Sequence, residues 1–512
     1  MHNIRMHSAA QHGSAALSGK IGATMSQPTT SSEVPNGAPA KRGIGLIGLI
    51  ALVISSSIGS GVFALSTDIS AAAAPGAAII AWIITGIGFI GLATTFGKLS
   101  LARPDLDGIV AYANEGFGPF VGFVSGWGYW LSIWIGNVAF GVMLVTAIGY
   151  FFPPFAGGLT VPAVIFISVM NWAIILLVNH GVEEASVVNA IVMCCKLVPI
   201  FVFIATMLFM FSFGVFTSDF WGALANNLGS ETAPGSLSTQ IINCFMVMMW
   251  VFVGMEGATV LGHRARRKAD VSRATILGTS ALVFIYVAAS VLPYGYLTRD
   301  ELLTMGSPSM VYIFQEAVGS WGGAFIAGGL VISILGAWLS YTILASEAMR
   351  TMADMKLLPS GFAKLNAHGA PTLCLVVTGT MIQMLSIVML FSEAAYQFAY
   401  SLCTAAIVIS WSLASAYMVK LARAGKVEQA GSALALSLFA TAFLVVAVVL
   451  AGVDLLLLCC IAYIPGLVCY IVARREQHCD HILEGFEKPL AVVLVGLGVV
   501  AIVLVAMGII TI

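Results

Sequence analysis

Ser55-Ser56-Ser57-Ile58-Gly59-Ser60-Gly61-Val62-Phe63 stands in the middle of an apolar run over residues 44–73. Val253-Gly254-Met255-Glu256-Gly257-Ala258 does the same inside the run over 239–262. Small residues in a membrane helix commonly serve close packing between helices. Here they form two interruptions, in the first and sixth apolar runs, and breaks at corresponding places in two halves point to an inverted-repeat transporter. An odd number of segments per repeat turns the second copy upside down. A broken helix exposes backbone N–H groups at the start of its second half, and these bind a carboxylate. The last carbonyls of its first half bind an ammonium group. Ser60-Gly61-Val62 would hold the carboxylate and the carbonyls of Trp250 and Val253 the amine, so that together they read the invariant end of an α-amino acid.

The surrounding runs set the frame. Stretches with the roughly 20 apolar residues that a spanning helix needs lie near 44–73, 76–101, 119–151, 160–179, 187–213, 239–262, 273–297, 323–352, 371–391, 395–421, 432–453, 455–473 and 489–511. They amount to about thirteen segments. The 512 residues are 59% hydrophobic and 9% charged, whereas a soluble domain is about 25% charged. Soluble enzymes, nucleic-acid binders and disordered proteins are excluded on that ground. Residues 1–42, rich in Ser, Ala, Thr, Gln and Pro, read as a disordered cytoplasmic tail without the apolar core of a signal peptide. The nine cysteines form no CxxC pair, and none of the eight histidines lies inside an apolar run, which argues against a His-based metal site or proton relay in the membrane.

Basic residues orient the chain. With a cytoplasmic N-terminus, all of the 22 Lys and Arg except Arg299 and Lys196 fall in the tail or in inside loops, as the positive-inside rule requires. The C-terminus is then extracytoplasmic. Four ionisable residues remain within the segments, where each is expensive and a functional candidate. Asp68, near the outer end of segment one, reads as interfacial. Lys196 is too deep in segment five for easy snorkelling. Glu256, at the second break, is the best candidate for a proton- or substrate-linked carboxylate, and Glu347 in segment eight either shares that role or pairs with a neighbouring helix. Two deep carboxylates against one lysine favour a cationic ligand over an anionic one. Trp130, Trp134, Trp250, Trp338 and Tyr341 stand on segments that could line a path, where an aromatic face stacks on a guanidinium or ammonium. Asn137 offers a buried amide to a substrate side chain or to a neighbouring helix.

Ser57-Ile58-Gly59-Ser60-Gly61-Val62-Phe63, Pro104-Asp105-Leu106-Asp107-Gly108, Gly116-Phe117-Gly118-Pro119, the Tyr129–Asn137 stretch and Trp250-Val251-Phe252-Val253-Gly254-Met255-Glu256 occur in that order. With the Leu357-Leu358-Pro359 to Gly369-Ala370-Pro371 connection, they resemble the amino acid–polyamine–organocation transporters. Within these the chain looks most like the basic amino acid/polyamine antiporters of the arginine/ornithine branch, over nearly all of 43–475. The resemblance implies an all-α polytopic membrane protein with a LeuT-type 5+5 inverted repeat, helices 1 and 6 broken, and exchange by alternating access. Repeats over 43–213 and 239–421, with additional helices over 432–512, are the expected organisation. It implies further that Gly59, Ser60 and Gly61 bind the carboxylate, Trp250 gates the substrate, Asn137 meets its side chain and Glu256 is the pH-linked acid. Lys196 resembles the lysine of proton-coupled relatives whose ammonium stands in for sodium. Two departures are visible: Tyr341 stands where related arginine/agmatine antiporters have a tryptophan, and Ile409-Ser410-Trp411 replaces Val-Pro-Tyr, both expected to line or support the side-chain pocket.

The expected substrate-binding set is Ser57, Ile58, Gly59, Ser60, Gly61, Val62, Asn137, Trp250, Val253, Tyr341 and Ser401, with Trp250, Glu256, Lys196 and Glu347 as gating or proton-linked residues. Arginine/ornithine antiport in a bacterial inner membrane leads. Histidine/histamine, lysine/cadaverine and arginine/agmatine exchange and a proton-coupled symporter stay open beside it. An intramembrane enzyme lacks support, with no HExxH or GxSxG. The expected partners are small cationic amino acids or amines and the lipid bilayer, with a homodimer as one possible assembly and no nucleic acid; no cofactor or metal is implied.

Overall fold

The computed structural model describes residues 44–510 other than 107, 156–158, 182–185, 261, 263–264, 392–394, 451, 479–481 and 484, and no side chains of 186–191. The expected tail over 1–42, and Asp107 and Arg264, lie outside the described residues. The chain runs through α1 (Leu46–Ser57), α2 (Gly61–Ala72), α3 (Pro75–Ala102), α4 (Gly108–Phe117), α5 (Pro119–Gly149), α6 (Val161–Asn179) and α7 (Ser186–Phe209). Two short helices, α8 (Phe213–Phe216) and α9 (Ala223–Asn227), lead to α10 (Leu237–Val251), α11 (Gly257–Val260) and α12 (Lys268–Val291). Then come α13 (Arg299–Thr304), α14 (Ser309–Val318), α15 (Ser320–Asp354), α16 (Thr372–Val388) and α17 (Ala395–Arg423), and finally α18 (Ala430–Leu450), α19 (Val453–Glu476) and α20 (Glu487–Ala506).

Eleven of the described helices are long and apolar enough to cross a membrane, the bent pair α1–α2 adds a twelfth span, and α10 is a shorter apolar helix. Taken in order, these correspond to the apolar runs of the sequence. The ends move by a few residues. The fifth helix stops at Phe209, before the short α8, and the last occupies Glu487–Ala506. Pro75 and Pro119 stand in the first turns of α3 and α5, where a missing N–H costs no hydrogen bond.

Two junctions in the chain share one geometry. The ten-residue α4 ends at Gly118, with φ 94° and ψ 174°, before α5. The ten-residue α14 ends at Gly319, with φ 93° and ψ 178°, before α15. Both junctions need the left-handed backbone that glycine adopts without steric cost. The elements that would correspond in a five-segment repeat also pack on one another: α3 on α12, α5 on α15, α6 on α16, and the pieces of the first broken helix on those of the sixth. Almost all of α5 is buried, between α15 and α17, whereas α20 lies at the periphery against α19.

A polar cluster closes the face that carries the basic loops. Arg103 donates to both Asp105 oxygens at 2.9 and 2.7 Å, to Glu115 at 3.0 Å and to the Tyr417 hydroxyl at 2.6 Å. Lys420 donates to the Gly116 carbonyl at 2.6 Å, so the α3–α4 connection is tied to α17. The Arg103 guanidinium holds the Asp105 carboxyl below the usual carboxylate range. Stability from this pair is therefore present above the ordinary carboxylate pKa of about 4 and is lost as pH falls through the lowered value. Arg103→Gln is expected to lower stability by about 1 kcal/mol or less, because the pair is solvent-exposed. Thermal unfolding at neutral pH should show the deficit shrinking as salt is raised.

Candidate functional site

Ile58, Gly59 and Ser60 separate α1 from α2, whose axes differ by 52°. Phe252–Glu256 separate α10 from α11. Gly254 in this second break has φ +102°, and a Cβ on it would run into the Ser56 carbonyl and the Ser57 nitrogen. The Ser56 hydroxyl donates to the Gly254 carbonyl at 2.7 Å. The two breaks thus meet backbone against backbone, which is why glycine occupies the contact.

Between them lies a small cavity of about 10 Å³ lined by Ser57, Gly59, Ser60, Gly61, Phe140, Trp250, Val251, Val253 and Tyr341. Such a volume holds about one water molecule, so the site is closed here and rings must move before an amino acid fits. The rings are close-set. Phe140 lies 6.1 Å from Trp250 and 5.0 Å from Tyr341, and Trp250 stacks on Tyr400 at 6.0 Å and 20°. A Cβ on Gly61 would stand 2.8 Å from Trp250 Nε1, and one on Gly59 would stand 2.5 Å from Phe140 Cε1. Glycine in the first break therefore brings both rings onto the backbone.

Polar groups reach the cavity from both breaks. α2 begins at Gly61, so the amides of Gly61 and Val62 stand in a first turn with no helical carbonyl behind them. The Ser60 hydroxyl is 3.4 Å from the Tyr396 hydroxyl, which also lies 3.4 Å from Trp250 Nε1. The Ser57 hydroxyl is buried with no partner among the described residues. From the second break, the Trp250 carbonyl accepts from the Val253 amide at 3.0 Å, and the Val253 carbonyl accepts from the Tyr341 hydroxyl at 3.2 Å. Each carbonyl keeps a second lone pair for an ammonium group.

The intramembrane charges stand behind the breaks rather than in the cavity. Lys196 is buried on α7, and its ammonium donates to the Ser55 carbonyl at 2.9 Å, in the last turn of α1 where the helix end carries partial negative charge. Glu256 is buried and accepts from Trp411 Nε1 at 3.3 Å. The Ile409-Ser410-Trp411 stretch, expected to line or support the side-chain pocket, stands outside the cavity lining: Trp411 holds the Glu256 carboxylate and the Ser410 hydroxyl donates to the Ser125 carbonyl at 2.6 Å. Glu347 pairs with Arg350 at 3.0 Å on its own helix, its side chain 39% exposed, and lies outside the cavity lining.

Of the expected substrate-binding residues, the structure brings Ser57, Gly59, Ser60, Gly61, Trp250, Val253 and Tyr341 to the cavity, and leaves Ile58, Val62, Asn137 and Ser401 out of its lining. Ile58 and Val62 point their side chains into the core. Asn137 is buried, with its amide nitrogen 3.5 Å from the Thr342 hydroxyl and its oxygen unpartnered among the described residues. Ser401 is half-buried on α17 beside Tyr400. Trp130 donates to Thr378 at 3.0 Å, and Trp134 and Trp338 pack in the core. Sequence reasoning missed Phe140 and Val251 in the lining, and Tyr396 and Tyr400 behind Trp250. The four-residue spacing of the two tyrosines, which sets them on one helix face, was a signal for the second pair.

The family profile for amino acid permeases matches residues 44–474. An arginine/ornithine antiporter of Latilactobacillus sakei is 49% identical over 471 residues, covering 92% of this chain and 98% of that protein. An arginine/ornithine antiporter of Lactococcus lactis subsp. cremoris is 42% identical, with 91% and 96% covered. An arginine/agmatine antiporter of Chlamydia felis is 39% identical, with 78% and 82% covered.

Proposed function

The chain belongs to the amino acid permease family, and from that premise we propose that it exchanges cationic amino acids across the membrane by alternating access, arginine against ornithine. The observation that carries the reading is the cavity closed between the backbone of Ser57–Gly61 and that of Trp250–Val253. One break offers first-turn amides and the other offers carbonyls, the two requirements of an α-amino acid's carboxylate and ammonium. Relatives named for arginine/ornithine exchange align over nearly the whole chain and supply the substrate class. Trp250 and Phe140 act as the gate, and Lys196 neutralises the end of α1 as a bound cation would.

The organisation follows the same reading. Residues 43–213 and 239–421 form the two halves, with 432–512 as additional helices, and the matched Gly118 and Gly319 junctions support this division. The basic face is cytoplasmic, the C-terminus lies on the other side, and the protein sits in a bacterial inner membrane.

Vesicles loaded with ornithine should take up labelled arginine, and empty vesicles should not. Uptake into empty vesicles driven by a pH gradient would make the protein a proton-coupled symporter instead. Glu256→Gln, which keeps the shape and the hydrogen bond from Trp411 but removes the charge, is expected to flatten the pH dependence of exchange. A pH profile identical to that of the parent would remove this carboxylate from the mechanism.

A further inference from the structure

Of the four ionisable residues singled out within the apolar segments, three have partners: Lys196 on the Ser55 carbonyl, Glu256 with Trp411 and Glu347 with Arg350. Asp68 takes part in none of the side-chain hydrogen bonds or ion pairs found among the described residues. The residue is partly buried on α2, near the outer end of its span.

Its position is set by the helix. Gly61 faces Trp250 closely enough that a Cβ would stand 2.8 Å from Nε1. Asp68 is seven residues further along α2, on the same stripe, and about 10 Å away at 1.5 Å per residue, toward the face opposite the basic loops. Tyr396 and Tyr400 of α17 border this stripe: Tyr396 reaches Ser60 and Trp250 at 3.4 Å, and Tyr400 stacks on Trp250. The Asp68 charge is close enough to act on both tyrosines. Arg299, on the same face, is committed elsewhere. It donates to the Ser70 carbonyl at 2.8 Å and the Thr232 carbonyl at 2.5 Å, and its charged neighbours are Asp300 and Asp219. Among the described residues Asp68 is therefore a partly desolvated carboxylate without a compensating cation, a costly arrangement until one arrives. Tyrosine faces add attraction for a guanidinium or ammonium.

We propose that Asp68, Tyr396 and Tyr400 form an outer station that holds the guanidinium or ammonium end of a cationic amino acid before Trp250 admits it to the cavity. This rests on the cationic-substrate reading above, and it assigns to the station a role in capture rather than in turnover.

The test is arginine influx into ornithine-loaded vesicles of uniform outside-out orientation. Asp68→Asn should raise the external KM for arginine by about tenfold, the effect of losing about 1.4 kcal/mol of binding, while the rate at saturation stays near the parent's. Asp68→Glu should keep the parental KM, and Tyr400→Leu should raise it independently. Raising ionic strength should raise the parent's KM more than that of Asp68→Asn. An unchanged KM in Asp68→Asn, or equal losses in the Asn and Glu variants, overturns the station; should Asp68→Asn not fold, an unchanged KM in Tyr400→Leu does so. Failure of the parent itself to exchange arginine for ornithine would instead overturn the reading beneath it.

Discussion

Gly254→Ala is expected to leave little stable protein, although the added atom is a single methyl group. Gly254 sits at φ +102°, and its Cβ would meet the backbone of Ser56 and Ser57 rather than a side chain that can turn away. A left-handed conformation costs an alanine about 1–2 kcal/mol, and overpacking a filled interior adds about 1–3 kcal/mol. Together these take a large share of a typical stability of about 5–15 kcal/mol. The measurement is the thermal midpoint and monodisperse yield in detergent, with Gly328→Ala as the control. Gly328 lies within α15 with nothing near its missing Cβ, so that change should be neutral or stabilising by about 0.5–1 kcal/mol. A parental midpoint in Gly254→Ala would mean that the two breaks do not meet as described.

Lys196→Met is expected to spare the fold and suppress exchange. Methionine retains the length and most of the apolar stem, so the packing of α7 against its neighbours survives. What disappears is the ammonium on the Ser55 carbonyl, a positive charge on the end of α1 behind the cavity. A hydrogen bond involving a charged group contributes about 1.5–3 kcal/mol, which corresponds to roughly ten- to hundredfold in an equilibrium. The arginine/ornithine exchange rate should fall by about that factor, while the thermal midpoint stays near the parent's because loss of the buried charge also removes its desolvation cost. A variant that folds and exchanges at the parental rate would show that the ammonium only fills space.

The breaks were legible because glycine and serine inside apolar runs contradict helix propensity, and a contradiction of that kind stands out in an otherwise uniform text. The segments were legible for the same reason: charge is so scarce that each loop announces itself. Lining residues were harder. In a helix buried on most sides, such as α5, apolar residues occur all round, and no stripe tells the cavity from the core. Asn137 therefore drew attention as the polar residue, while Phe140, three positions on, forms the wall. Ser401 was named where its neighbour Tyr400 meets the gate. Trp411, whose stretch was expected to line or support the side-chain pocket, turns its indole nitrogen to Glu256. Asp68 read as interfacial because it stands near the end of its segment, and its stripe became visible only once Gly61 was seen against Trp250.

The account stands on the two breaks forming one substrate site, and a structure determined with bound arginine tests that most directly. The expected density places the α-carboxylate within about 2.7–3.2 Å of the Gly61 and Val62 amides and the α-ammonium on the Trp250 and Val253 carbonyls, with Phe140 or Trp250 swung aside. Arginine bound elsewhere, or bound in the cavity with its guanidinium on the first break, would contradict it.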